Sequence, residues 1–287
     1  MKQIAVISGK GGTGKTVLTA SFAALAKNKV MVDCDVDAAD LHLLLHPVIK
    51  ERYQFSGGVT ARINKDLCRL CGACIDVCRF DAINDNFVVD PISCEGCALC
   101  SHICPADAIK MEDNQSGEWF ISDTRYGVLV HAKLGIAEEN SGKLVTKIRQ
   151  EATKIAQKEG MDYVIIDGPP GIGCPVIASL TGVDTAIIVT EPTPSGIHDM
   201  QRVLELASHF KIDTKVVINK YDINLENSED IRSMCQKENI EVAGLIPFSR
   251  EVNESIVKLL PIVEYNNGEV SKQITSIWHK SARRIHC

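Results

Sequence analysis

Eight of the 12 cysteines in this 287-residue chain fall into two runs with the same internal spacing. The first is Cys68-x2-Cys71-x2-Cys74-x3-Cys78; the second is Cys94-x2-Cys97-x2-Cys100-x3-Cys104, followed by Pro105. Each cysteine of the first run recurs 26 positions later (68 to 94, 78 to 104), and Asp81-Ala82-Ile83 recurs as Asp107-Ala108-Ile109. The chain therefore carries an internal duplication in which each half supplies three close thiolates and one distant one. Three thiolates at this spacing can wrap one face of a cubane iron–sulfur cluster, while the fourth points away and ligates the other cluster. The expected ligand sets are Cys68, Cys71, Cys74 with Cys104, and Cys94, Cys97, Cys100 with Cys78. Structural zinc uses pairs of Cys-x2-Cys separated by a longer loop, and the third close cysteine would be in surplus. A disulfide framework fits less well. Met1-Lys2-Gln3 does not open a secretory leader, so a reducing, cytoplasmic setting is expected, where disulfides rarely persist.

A second constellation lies at the N-terminus. The β-rich run Lys2–Ser8 leads into Gly9-Lys10-Gly11-Gly12-Thr13-Gly14-Lys15-Thr16, and a helical stretch rich in alanine and leucine follows to about Lys27. Strand, glycine loop and helix in that order are the context of a P-loop. Its glycines let backbone N–H groups curl around phosphate oxygens, and the helix N-terminus adds a favourable dipole. Lys15 is expected to reach the β- and γ-phosphates of ATP, and the Thr16 hydroxyl to sit on Mg²⁺.

Two resemblances follow from these residues. The segment from about residue 61 to 112 resembles a two-cluster bacterial ferredoxin, which implies two [4Fe–4S] clusters. Lys10-Gly11-Gly12-Thr13-Gly14-Lys15-Thr16 resembles the deviant Walker A motif of the MinD/ParA family, which includes the nitrogenase iron protein. That resemblance implies that Lys10 crosses a nucleotide-sandwich dimer to the partner's phosphates, so ATP would join two subunits, as a homodimer or a heterodimer with a close relative. Val30–Asp35 resembles the family's switch I, with Asp35 at the position that orients the attacking water. Tyr163–Asp167 followed by Gly168-Pro169-Pro170-Gly171 resembles Walker B and switch II. The resemblance implies that Asp167 holds Mg²⁺ through a water, that Gly171 senses the γ-phosphate, and that Asn219 recognises adenine.

The elements that must position these residues are legible too. Val30–Asp35 and Tyr163–Asp167 read as buried strands and Thr185–Val189 and Lys215–Ile218 as β-rich runs, alternating with helical runs such as Gly142–Glu159 and Ser195–Phe210. The expected fold class is α/β, a parallel-sheet P-loop NTPase of the MinD/ParA kind with an inserted small α+β ferredoxin-like domain. Composition shifts at Ser56-Gly57-Gly58 and at Asp113–Gly117 suggest linkers, giving an ATPase domain over 1–58 and 115–287 and an insert over 59–114. Aromatic residues are 5% of the chain and the formal charge is −6, which argues against nucleic-acid partners and a basic membrane face. No apolar run approaches the roughly 20 residues that span a bilayer.

The expected function is coupling of ATP binding and hydrolysis to electron transfer with a redox partner; an ATP-dependent scaffold or carrier of clusters is the alternative. The first cysteine run ends Cys78-Arg79 where the second ends Cys104-Pro105, so the cluster held by Cys78 is expected to have the higher potential. Cys174 is weighed as a ligand of a bridging cluster against a small packing residue beneath switch II, and packing is favoured. Cys34 and Cys235 also read as packing, and Cys287 carries no reading. Val270, Ile274, Ile277, Trp278 and Ile285 share one helical face near Lys280, Arg283 and Arg284. Packing on the sheet is expected for this helix over membrane docking.

Overall fold

The computed structural model describes residues 1–135 and 141–283. Two compact units divide the chain: one of Met1–Arg52, Trp119–Lys133 and the chain from Ser141 on, the other of Tyr53–Glu118 with a short stretch from Leu134. Nine strands lie in one hydrogen-bonded order: β1 (Lys2–Ser8), β2 (Lys29–Asp33), β3 (Val48–Ile63), β4 (Ile109–Thr124), β5 (Gly127–Leu134), β6 (Tyr163–Pro170), β7 (Thr185–Thr190), β8 (Asp213–Asn219) and β9 (Glu241–Ile246). Their order is β3-β4-β5-β2-β6-β1-β7-β8-β9. The pairs β5–β2, β2–β6, β6–β1, β1–β7, β7–β8 and β8–β9 are all parallel. Only two residues, Arg125 and Tyr126, join β4 to β5, so those neighbours must run antiparallel.

The helices are α1 (Lys15–Leu25), α2 (Leu41–Leu45), α3 (Ala73–Asp76), α4 (Leu99–Ile103), α5 (Ser141–Lys158), α6 (Cys174–Leu180), α7 (Pro194–His209), α8 (Leu225–Lys237), α9 (Arg250–Val257), α10 (Ile262–Tyr265) and α11 (Glu269–Ala282). Central strands such as Ile4–Ile7 and Val164–Ile166 are buried on both faces, which explains their unbroken apolar runs. The core beneath α1 and α11 unites Ile4, Phe22, Met31, Leu129, Ile165 and Trp278. The terminal helix belongs to this core. The Trp278 ring centroid lies 5.2 Å from that of Phe22 and 5.3 Å from that of Tyr163. A Cβ on Gly244 would come within 2.5 Å of Ile277, so only glycine lets α11 seat this closely. No helix among the described residues is long and apolar enough to cross a membrane. Arg284 and Ile285 lie outside the described residues.

In the second unit the backbone repeats with the sequence. Positions 26 apart share the left-handed region: Leu70 (φ 54°) with Gly96 (66°), Gly72 (80°) with Ala98 (61°), and Asp81 (49°) with Asp107 (50°). The two halves exchange equivalent bonds, Asn64 N to Ala108 O at 2.8 Å and Asp90 N to Ala82 O at 2.7 Å. A small core of Ala61, Cys74, Ile83, Cys100 and Ile109 lies between them. One expectation fails here: Ser56–Gly58 and Asp113–Gly117 are not linkers but lie inside β3 and β4. Gly57 N donates to the buried Ser116 hydroxyl at 2.6 Å, a bond that ties β3 to β4. The compact unit accordingly begins at Tyr53 and ends at Glu118 rather than at 59 and 114.

Candidate functional site

The glycine loop leaves the end of β1 and turns directly into α1. Ser8 Oγ donates to Lys10 O at 2.6 Å, and Gly12 and Gly14 take left-handed φ values of 78° and 92°. A Cβ at Gly9 would lie 2.5 Å from Asp199 on α7, so the loop passes hard against that helix. Gly14 has an equally close neighbour in the Asn219 amide, 2.5 Å from where its Cβ would be. Asn219, expected to face adenine, donates from Nδ2 to Thr13 O (2.8 Å) and accepts at Oδ1 from Lys220 N (3.0 Å). Its amide thereby ties the loop to the end of β8.

Beside the loop lies a cavity of about 630 Å³ whose polar wall includes Gly11, Gly12, Lys15, Thr16 and Asp35, within the usual size range of ligand pockets. Leu43 and Leu44 of α2 and Ile256 of α9 form an apolar wall that sequence reasoning did not assign. Lys15 is 5% exposed, whereas Lys10 is exposed. Where β2 ends against β6, Asp33 stands opposite Asp167. Both are buried to 1% exposure. Asp167 Oδ1 accepts from Thr19 Oγ1 at 2.9 Å, and its carboxylate also takes a hydrogen bond from Thr16. Desolvation lifts the Asp167 carboxyl to about 6, although Lys15 and the two hydroxyls pull it down. Asp33 is driven up by the same burial and by the Asp167 charge. Asp35 is raised by burial despite the Lys15 ammonium.

Asp33 is the residue that sequence reasoning missed. Its Oδ1 accepts from Asp35 N at 3.2 Å, fixing the turn that carries Asp35, while its Oδ2 is buried without a partner. The Thr13 hydroxyl is likewise buried without a partner. The signal was present in Asp33-Cys34-Asp35, where two acids end a buried strand, but only strand pairing shows which one meets Asp167. Clustered carboxylate and hydroxyl oxygens are the donors that Mg²⁺ takes, and an adjacent buried ammonium suits phosphate. The residues present fit a Mg²⁺–nucleotide. Gly171, in the left-handed region at φ 95°, donates its N–H to Ser8 O at 2.9 Å and so anchors the segment after β6 to the end of β1.

The eight repeated cysteines distribute over two cavities of the second unit. Cys68, Cys71, Cys74 and Cys104 line one; Cys78, Cys94, Cys97 and Cys100 line the other. The two runs thus exchange their distant cysteines. Cys74 and Cys100 are buried, which pushes their thiols up, while Cys71 and Cys97 are exposed. Ala108 N donates to Cys104 Sγ at 3.4 Å. Among the described residues no three His, Cys, Asp or Glu side chains converge to hold a single metal ion. A zinc site would need four sulfurs at about 2.3 Å from one point. In a cubane each thiolate takes a different iron, so the sulfurs ring a cavity. Four cysteines around each cavity are a donor set that a cubane takes.

Residues 4–262 match the profile of the CobQ/CobB/MinD/ParA nucleotide binding domain. The chain belongs to this family. Among its relatives is the uncharacterized protein MJ0578 of Methanocaldococcus jannaschii, 36% identical over 97% of this chain and 95% of that one. An iron-sulfur cluster carrier protein of Pyrococcus horikoshii is 25% identical over 50% of this chain and 53% of its own length. The septum site-determining protein MinD of P. horikoshii, solved with Mg-ADP, superposes with a TM-score of 0.59 at 17% identity, covering 97% of this chain and 95% of that one. The family fold is thus an α/β parallel-sheet P-loop NTPase, as the strand order above displays.

The remaining cysteines divide. Cys34 and Cys235 are buried, and burial pushes Cys235 up to about 11, as packing residues require. Cys174, expected to pack beneath switch II, is instead exposed as the first residue of α6. The short loop after β6 turns outward through Gly171–Gly173, leaving Ile172 (36%) and Ile177 (37%) partly exposed beside it. Cys287 lies outside the described residues.

Proposed function

We propose that this protein is an ATP-binding and hydrolysing iron–sulfur protein that couples nucleotide-dependent dimer closure to electron transfer through two [4Fe–4S] clusters. The observation that carries the reading is the sorting of the eight repeated cysteines into two four-thiol cavities within a chain that also holds a P-loop pocket. Lys15 and the loop from Gly9 to Thr16 bind the phosphates; Thr16 and Asp167 hold Mg²⁺; Asp35, fixed by Asp33, orients the attacking water. Lys10, exposed beyond the loop, reaches the phosphates of a second copy or of a close relative. Gly171 links β6 to the γ-phosphate, and the segments carrying Asp35 and Gly171 respond to its loss on hydrolysis. The clusters, when bound, supply one-electron storage. The chain's own part is to fix eight thiolates and to shield the inner ones, Cys74 and Cys100.

The test is anaerobic purification with iron and sulfide analysis, then EPR of the dithionite-reduced protein with and without Mg²⁺-ATP. About eight irons per chain and a spectrum that changes with ATP are expected. Iron-free protein, or an EPR signal indifferent to a nucleotide that binds, would refute the coupling. A second reading, delivery of clusters to an apo-acceptor, is favoured by the cluster-carrier relative. Burial of one thiolate at the floor of each cavity favours resident clusters instead. Transfer to an apo-ferredoxin that quickens with ATP would reverse that preference.

A further inference from the structure

The two cysteine cavities are duplicates in backbone but not in charge. Residue 69 of the first run corresponds to residue 95 of the second (69 + 26 = 95), and these are Arg69 and Glu95. Each lies between the first two cysteines of its run, and each lines its own cavity. Neither cavity has another charged lining residue. The flanking backbone is matched as well, with Leu70 and Gly96 both left-handed at φ 54° and 66°. The two sites therefore present nearly the same fold to their contents with opposite charges at one equivalent position.

On the cluster reading above, we infer that Arg69 and Glu95 split the reduction potentials of the two sites, so that the site of Cys68, Cys71, Cys74 and Cys104 takes the first electron. Reduction adds one negative charge to a cluster. A guanidinium carried beside the site stabilises that added charge and a carboxylate opposes it, and net charge at the site is one of the levers on cluster potential. Both residues are exposed, so solvent and salt screening weaken the effect. This order reverses the one expected from Arg79. Arg69, Arg79 and Glu95 are all exposed, but Arg79 lines neither cavity, whereas Glu95 lines the cavity of the site that Cys78 completes. An electron entering from a low-potential one-electron donor comes to rest at the Arg69 site, and the Glu95 site is the stronger reductant once filled.

The experiment is a potentiometric titration of the anaerobic full-length protein with dithionite, followed by EPR, with iron and sulfide measured on the same samples. The wild type is expected to reduce in two one-electron steps. Arg69→Glu should lower the upper midpoint, and Glu95→Arg should raise the lower one, so each substitution narrows the separation. The double exchange should restore two separated steps. Arg69→Gln and Glu95→Gln give smaller shifts of the same sign and serve where charge reversal lowers the iron content. Arg79→Pro should move either midpoint less than the Arg69 and Glu95 variants do. A single wild-type step, an Arg69 variant that lowers the lower midpoint, or midpoints indifferent to all four variants at full iron content would each overturn the assignment. A wild type without iron would instead overturn the cluster reading itself.

Discussion

The nucleotide pocket draws its polar groups from positions as far apart as Lys15, Asp35 and Asp167, brought together by the parallel pairing of β1, β2 and β6. The cysteine cavities take all their thiols from between residues 68 and 104 and arrange them with local turns and two short helices. The pocket buries charge within a large apolar core. The second unit has a core of five buried residues, two of them cysteines, so any cluster it binds should add much to its order.

That contrast can be broken most sharply at Lys15. Lys15→Ala should cut ATP hydrolysis by about 10²- to 10³-fold, the scale of losing one charge-stabilising group, while leaving iron content unchanged. Loss of iron in this variant would mean that the two units do not fold independently. Cys104→Ala should remove roughly half the iron, since four thiolates serve each cluster. It should raise amide exchange across 53–118 and spare nucleotide affinity; unchanged exchange would show that the second unit is ordered without its metal.

A smaller effect follows from the raised carboxyls of the pocket. Asp167 titrates near 6, with Asp33 and Asp35 also raised. Mg²⁺ binding must displace these protons, so Mg²⁺-nucleotide affinity should fall by up to about tenfold per pH unit below 6. Isothermal titration across pH 5 to about 8 checks the slope, and a flat profile would remove these carboxylates from the metal site. In the absence of ligand the sign is opposite. A folded pKa above the unfolded 3.8 means that the folded protein holds more protons, so nucleotide-free stability falls as pH rises from 3.8 through about 6. Asp33→Asn should relieve the repulsion, stabilising the nucleotide-free protein by about 1–2 kcal/mol at pH 7, with the gain shrinking toward pH 4. Equal denaturation midpoints for variant and wild type at pH 7 would contradict the burial of like charges.

The P-loop was legible because its function depends on contiguous residues: glycines that tolerate left-handed backbone, then a lysine at the start of a helix. Walker B was legible for the same reason, since a buried strand ending in an acid is a local pattern. The role of Asp33 was not, because its importance comes from the register that sets it against Asp167. Asn219 came from the family resemblance, but only the structure shows both ends of its amide engaged, with Thr13 O and Lys220 N. Ser56–Gly58 and Asp113–Gly117 misled because glycine and polar residues signal turns on average, while here they lie inside two strands tied to each other. Cys174 misled in the other direction, since the outward course of Gly171–Gly173 depends on tertiary context.

The sequence by itself pointed to two chemistries, because thiolate spacing and the glycine loop each act over a few contiguous residues. Tertiary structure decided which groups share a space. It placed Asp33 beside Asp167, closed the pocket with α2 and α9, and set Arg69 and Glu95 at matching walls of two cavities. Burial and charge act through space, and the distances that govern them exist only once the strands have paired.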